Sequence, residues 1–182
     1  FKNDTDIKDK LNKELNEKLL NVEEFATEEM LTTRKCNKSI ENNIFNYIRS
    51  CKIKFLDWDE PGSSTNIEVN TVVDIHHIIP LYNATKVGES TRTIRKEDNH
   101  YLNATMNKTL ISSGANKTIG AKAVNAYHSD LNQYNTQFDY HFINTNWSSV
   151  NLEEKDDIKE LFKIRYDNIK QSIRTTIHSS LF

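Results

Sequence analysis

The stretch Asp74-Ile75-His76-His77-Ile78-Ile79-Pro80 decides how this chain is read. Val69–Val73 before it is a compact β-branched run, and Asp74 to Ile79 carries that strand on to a turn at Pro80. Two imidazoles therefore stand side by side at a strand end. Successive side chains of a regular strand face opposite ways, so such a strand cannot aim both rings at one point. A twist or bend at the strand end would let one ring ligate a cation while the other acts as a base nearby. The same pair also fits two structural histidines at a strand terminus, and the pair alone leaves both readings open.

The next informative stretch is Asn107-Lys-Thr-Leu-Ile-Ser-Ser-Gly-Ala-Asn116-Lys117. Asn107–Ile111 reads as a second short strand, Ser112-Ser113-Gly114 as a turn, and the chain from Ala115 or Asn116 to about Leu131 as a helix with Ile119, Ala123, Ala126 and Tyr127 on one side. Asn116 at a helix start is also what an N-cap looks like. Asn107 could equally satisfy a loop backbone group. Between the two strands, residues 83–100 are polar and irregular and predict a long loop, which in a compact domain has a function or moves. The order is strand, long loop, strand, helix.

Outward from this core the chain is helical. Ile7, Leu11, Leu15 and Leu19 recur every four residues within 4–20. Val22 to Met30 reads as a second helical piece. Ile40, Ile44, Tyr47, Ile48 and Cys51 share a face of a helix over Ser39–Cys51, with Ser39 as its cap. Residues 57–66, which include Asp-Glu-Pro-Gly-Ser-Ser-Thr-Asn, are a loop that ends this helical part. Residues 134–150 are aromatic-rich and fit no element. A terminal helix over 152–178 carries Leu152, Ile158, Leu161, Phe162, Ile164 or Arg165, and Ile169 as its apolar stripe. The fold class is α+β: a mostly helical chain around a small strand-strand-helix core with helical flanks. It divides into a helical N-terminal segment (1–56), the core (57–133) and a C-terminal helical segment packed on it (134–182).

Composition narrows the function classes. At 182 residues and 36% hydrophobic content the chain can bury one modest core, and no apolar run approaches membrane-spanning length. The mean hydropathy of -0.71 suits a polar surface, and a cytoplasmic protein is expected. The first residue is Phe1, so an N-terminal domain of the same protein is expected upstream. Cys36 and Cys51 are too far apart for a zinc knuckle and read as free thiols on helical faces. The Asn-x-Ser/Thr triplets at Asn103, Asn107, Asn116 and elsewhere are what an Asn-rich chain produces by chance. The formal net charge is -2, but its distribution is uneven. Residues 1–30 hold nine acids against five lysines, a balance of -4, whereas residues 86–128 hold seven bases against three acids, a balance of +4. A local positive patch attracts a phosphate backbone even on a slightly acidic protein.

Asp74-Ile-His76-His77-Ile-Ile-Pro80, followed by Asn107-Lys-Thr-Leu and Asn116-Lys-Thr-Ile, resembles the ββα-metal, or HNH, nucleases. The opening and the nine-residue spacing of the asparagines are similar to the HNH domain of RNA-guided CRISPR nucleases. The longer likeness, which takes in Lys122 and Tyr127, is to the C-terminal HNH-like domain of modification-dependent restriction enzymes, which usually carry a ParB-like domain upstream. The likeness covers roughly Val72 to Tyr127, and the flanks loosely.

By that resemblance His77 is the general base, Asn107 holds the loop around it, and Lys122 contacts a phosphate. His76 and Asn116 are metal ligands, and Asp74 is either a further ligand or the partner of a histidine. Many members have Asp or Glu where His76 stands. Arg92, Arg95, Lys96 and Lys117 are the expected nucleic-acid contacts. The implied activity is metal-dependent DNA endonuclease in a restriction or antiviral defence system, with modified phage DNA among the implied substrates. The chemistry is coherent in its own right. A histidine near neutral pH can take a proton from water, and a sparse His and Asn ligand set suits Mg2+ or Mn2+ bound together with substrate. Two other readings stay open: a non-catalytic nucleic-acid-binding module on the same scaffold, and a ribonuclease or toxin domain.

Overall fold

The computed structural model describes Lys10 and residues 28–50, 72–84, 90–130, 141–144 and 146–181. The expected helix over 4–20, most of the piece starting at Val22, the loop over 57–66, the strand residues before Val72, and Cys51 lie outside the described residues.

The described chain is mixed α+β, dominated by helices around one two-stranded antiparallel sheet. In order it comprises α1 (Glu28–Thr33), α2 (Lys38–Ser50), β1 (Val73–His77), α3 (Thr91–Ile94), β2 (Lys108–Ser112), α4 (Ser113–Ile119), α5 (Val124–Asp130), α6 (Asn146–Ser149) and α7 (Lys155–Leu181). Short 3-10 turns occupy Leu81–Ala84, Tyr101–Asn103 and Thr105–Asn107. Among the described residues no helix is long and apolar enough to cross a membrane.

The register pairs Val73 with Ser112, Asp74 with Ile111, Ile75 with Leu110, His76 with Thr109 and His77 with Lys108. Asp74, His76, Thr109 and Ile111 therefore share one face, and Ile75, His77, Lys108 and Leu110 the other. β1 ends at His77, two residues before Ile79, to which the strand was expected to run, and β2 starts one residue later than expected, at Lys108, because Asn107 closes the preceding 3-10 turn.

Five expectations are corrected. The helix after β2 is two helices. α4 stops at Gly120, whose φ of +56° is a conformation that side-chain-bearing residues rarely adopt, and α5 restarts at Val124. The N-cap of α4 is Ser112, whose hydroxyl accepts from Ala115 N at 3.1 Å, so Asn116 sits inside α4 and is not its cap. The long polar loop is partly ordered: Ser90 caps the single turn α3, and residues 93–103 continue through consecutive turn hydrogen bonds. On the N-terminal side, Asn37 rather than Ser39 caps α2, accepting from Ser39 N at 2.8 Å. Cys36 is a buried free thiol in the α1–α2 connection, off any helical face, with its sulfur 2.8 Å from Thr105 Oγ1.

The core sits where α2, α7 and the 3-10 turns meet the hairpin. Ile48, Ile78, Ile79, Leu102, Met106, Ile111, Trp147 and Phe162 are all buried there. On α2 the deepest side chains are Phe45, Ile48 and Glu41, while Ile40, Ile44 and Tyr47 are only half-buried. On α7, Ile158, Leu161, Phe162, Arg165, Tyr166 and Ile169 form a helical stripe facing inward. Arg165 lies fully within it, and Ile164 lies at its edge. α7 packs on α1 and on the Thr105–Asn107 turn, and so backs the segment that leads into β2.

Candidate metal and nucleic-acid site

Asp74 and His76 point to the same side of β1, and α4 lies across that side. Asn116, one turn into α4, meets both. Its Nδ2 donates to Asp74 Oδ2 at 3.1 Å, and its Oδ1 lies 3.0 Å from His76 Nδ1. The carboxylate thus sets the amide's orientation, and the amide oxygen is directed at the imidazole. Asp74 is the partner of Asn116 here, whereas the expectation was a further ligand or the partner of a histidine. His76 Nε2 is buried without a hydrogen-bond partner. Burial pulls the His76 pKa down to about 4, with the Asn116 contact opposing the shift, so the ring is neutral near pH 7.

His77 belongs to the other face of β1 but stands at its end, where Ile78, Ile79 and Pro80 turn the chain. Both histidines border one cavity of about 360 Å³, together with Asp74, Asn116, Arg95 and Tyr82. The turn is held from behind by Asn107. Its Oδ1 accepts from Ile79 N at 2.8 Å, and its Nδ2 donates to Ile79 O at 3.0 Å and Leu102 O at 2.8 Å. Its carbonyl accepts from Ile78 N at 2.8 Å, and the Tyr127 hydroxyl donates to Ile78 O. Both backbone polar groups of Ile78 and Ile79 are thereby pinned. This agrees with the structural reading of Asn107, and it is also how such a residue would position His77.

Asn103 lies beside the ring, its Nδ2 committed to the carbonyls of Ile94 and Glu97. His77 Nε2 is buried and has no hydrogen-bond partner. Burial, then the charges of Lys108, Arg95 and His76, bring the His77 pKa down to about 3, while Asn103 pulls the other way. The ring is neutral and can accept a proton. An anion lodged beside Arg95 would cancel part of the field that weakens it as a base.

The donor set fits a divalent cation of the oxygen-preferring kind. Asn116 Oδ1 accepts from His76 Nδ1–H at 3.0 Å, so a cation held by these two atoms would replace that hydrogen bond and leave the imidazole proton on Nε2. Among the described residues no three His, Cys, Asp or Glu side chains gather as a metal cage. Here one of the donors is an amide, which leaves most positions around an ion to water and substrate oxygens.

Of the expected nucleic-acid contacts, Arg95 borders the cavity. Arg92 and Lys96 are exposed on either side of it in sequence, and Lys117 is exposed on α4. Lys122 is exposed in the α4–α5 connection and does not border the cavity. Sequence reasoning missed Asn103, noted only as part of a chance triplet, and the rim pair Ile75 and Tyr82, which are 46% and 65% exposed. A solvent-facing isoleucine inside an otherwise alternating strand was the available signal for that rim.

Comparison with family models, with curated proteins and with solved structures finds no match for this chain.

Proposed function

We propose that the chain is a metal-dependent DNA endonuclease domain of the ββα-metal type, serving a restriction or antiviral defence protein. One observation carries the reading: the Asp74–Asn116–His76 chain of hydrogen bonds and the partnerless His77 Nε2 border the same cavity, with the Arg95 cation at its wall.

In this reading His76 and Asn116 hold a Mg2+ or Mn2+ ion, with Asp74 orienting the amide. The ion supplies charge neutralisation at the scissile phosphate and at the departing oxygen. His77 Nε2 takes the proton of the attacking water, and Asn103, which opposes the fall of the His77 pKa, favours the resulting imidazolium. Asn107 keeps the Ile78–Ile79 turn rigid, so the base holds its position. Arg95 binds the phosphate and, once neutralised by it, removes one of the charges that lower the His77 pKa, burial remaining the largest cause.

The test is cleavage of plain and base-modified plasmid DNA by the chain, with Mg2+, with Mn2+ and with chelator. Metal-dependent nicking or cutting is expected. Cleavage of RNA in preference to DNA would move the reading to a ribonuclease or toxin domain. DNA binding with no cleavage under any metal would leave only a binding module.

A further inference from the structure

A second cleft lies away from the cavity, formed where α1, the Asp98–Tyr101 segment and the start of α7 meet. It encloses about 370 Å³, and its wall carries Arg34, Lys155 and Lys159 with Tyr101, Asn99 and Glu29. Three cations against one carboxylate give the cleft a local charge of +2. The cations come from positions 34, 155 and 159, so tertiary packing alone assembles them. Lys155 is held in place: its ammonium sits 5.2 Å from the centre of the Tyr101 ring, and His100 stacks on that ring at 4.9 Å. Lys159 contacts Asp156 at 3.2 Å, but the carboxylate is almost fully solvated and such a pair is weak enough to yield to a phosphate. The nearby Asp98 already pairs with Lys35 at 3.3 Å, which limits its repulsion of an anion.

The cleft is tied to the cavity by a short piece of chain. Arg95 borders the cavity and Asn99 borders the cleft. Four residues span at most ~14 Å, and exposed Lys96 lies between them. A strand whose cut phosphate lay at Arg95 would therefore bring its backbone within reach of the cleft a few nucleotides away.

We infer that the Arg34–Lys155–Lys159 cleft is a remote phosphate-binding site that grips the nucleic-acid backbone beside the cut and sets which way the strand runs through the cavity. The inference rests on the endonuclease reading. It adds three contacts outside the basic 86–128 segment, and it gives Tyr101 and His100 the task of holding Lys155.

The experiment titrates a fluorescent DNA duplex with the full 182-residue chain over a series of salt concentrations, in chelator so that nothing is cut. The wild type is compared with the triple variant Arg34→Gln, Lys155→Gln, Lys159→Gln, and with the control Lys170→Gln, Arg174→Gln. The control positions lie at least ~16 Å further along the same helix. All of the substituted side chains in the triple variant are surface groups, and equal melting temperatures verify the fold. Hydrolysis of a small chromogenic phosphodiester with Mn2+ is followed in parallel. The expected result is a salt slope flatter by about 2 to 3 in the triple variant, from ~0.9 per phosphate contact, little change in the control, and equal hydrolysis of the small substrate by all three proteins. A wild type that cleaves DNA, beside a triple variant with an unchanged slope or a control that loses as much, overturns this inference alone. A wild type with neither metal-dependent cleavage nor salt-dependent DNA binding overturns the endonuclease reading and this inference with it.

Discussion

Across the hairpin ladder His76 is paired with Thr109, and each of the two holds a polar cluster of a different kind. On the β1 side, His76 meets Asn116, and Asn116 meets Asp74, at the border of an open cavity. On the β2 side, the Thr109 hydroxyl meets His141 Nδ1 at 2.7 Å in full burial. Arg165 lies behind it, with Nε on the His141 carbonyl at 3.1 Å and Nη1 on the carbonyls of Met106 and Lys108 at 2.7 and 2.8 Å. Lys108 in turn reaches Glu41 at 2.6 Å, both of them buried. The second cluster clamps backbone carbonyls on both sides of Asn107, and its charges face protein. The first borders a cavity that Arg95 lines. Burying polar groups is unfavourable unless they are bonded; the clamp's bonds end on backbone carbonyls and read as architecture, whereas the first cluster opens onto space that a ligand can enter.

That contrast breaks first at His77. His77→Ala should lower the DNA cleavage rate by about 10²- to 10⁴-fold and leave the melting temperature and most of the DNA affinity intact. A folded variant that retains more than a tenth of the parent rate would remove His77 as the base. The converse is expected of Arg165→Met, which strips three buried carbonyls of their charged donor. It should cost at least ~3 kcal/mol of stability, read as a fall in the urea midpoint. A loss below ~1 kcal/mol would mean that the carbonyls have other donors and that no clamp exists.

A pH titration of stability sharpens the same comparison, because both clusters contain depressed histidines. His76 is held at about 4, and His77 and His141 at about 3, with burial the first cause in each. Unfolded, each would protonate near 6.5. Between these values the unfolded chain binds more protons, so stability is greatest above pH 6.5 and declines as the pH falls toward 3. The decline should reach up to ~1.4 kcal/mol per pH unit for each histidine, and His77→Ala should make the urea-denaturation profile shallower. A profile of unchanged steepness in that variant would show that His77 titrates normally in the folded chain.

Two smaller effects separate orientation from charge. Asp74→Ala frees the Asn116 amide to flip, and the loss of such an orienting partner typically weakens a metal site 10- to 100-fold. The Mn2+ concentration for half-maximal cleavage should rise accordingly, with the maximal rate nearly regained at saturation. Failure of excess Mn2+ to restore the rate would assign Asp74 a direct part in the chemistry. Arg95→Gln should flatten the salt dependence of DNA binding by ~0.9 and also slow cleavage. Lys122→Gln, outside the cavity border, should alter the rate little. Equal loss of rate in both would show that proximity to the cavity does not govern the basic contacts.

How far the sequence could be read differs element by element. β1 was legible because a β-branched run ends in Ile-Ile-Pro, and α7 because its apolar stripe keeps helical spacing over most of its length. The split between α4 and α5 was not. Ile119, Ala123, Ala126 and Tyr127 fit a single helical face, and only the positive φ of Gly120 breaks it. The ambiguity between Ile164 and Arg165 was also real, since a stripe predicts an apolar residue and the buried one is the cation. Its burial is tolerable only because carbonyls from residues 106, 108 and 141 converge on it, and residues so far apart leave no local trace.

By itself the sequence determined the kinds of group in play and their spacing along the chain: an acid and two histidines on one strand, asparagines nine apart, a basic stretch beside them. These are local properties, set by pleat, turn chemistry and charge density. Tertiary structure decided which partner each group received. It gave Asn116 to Asp74 and His76, Asn107 to the Ile78–Ile79 turn and Arg165 to the carbonyls around Asn107, and it joined Arg34 to Lys155 and Lys159. Hydrogen-bond geometry and desolvation act over a few ångströms of space, whatever the separation in sequence, and so they assign roles only once the chain has folded.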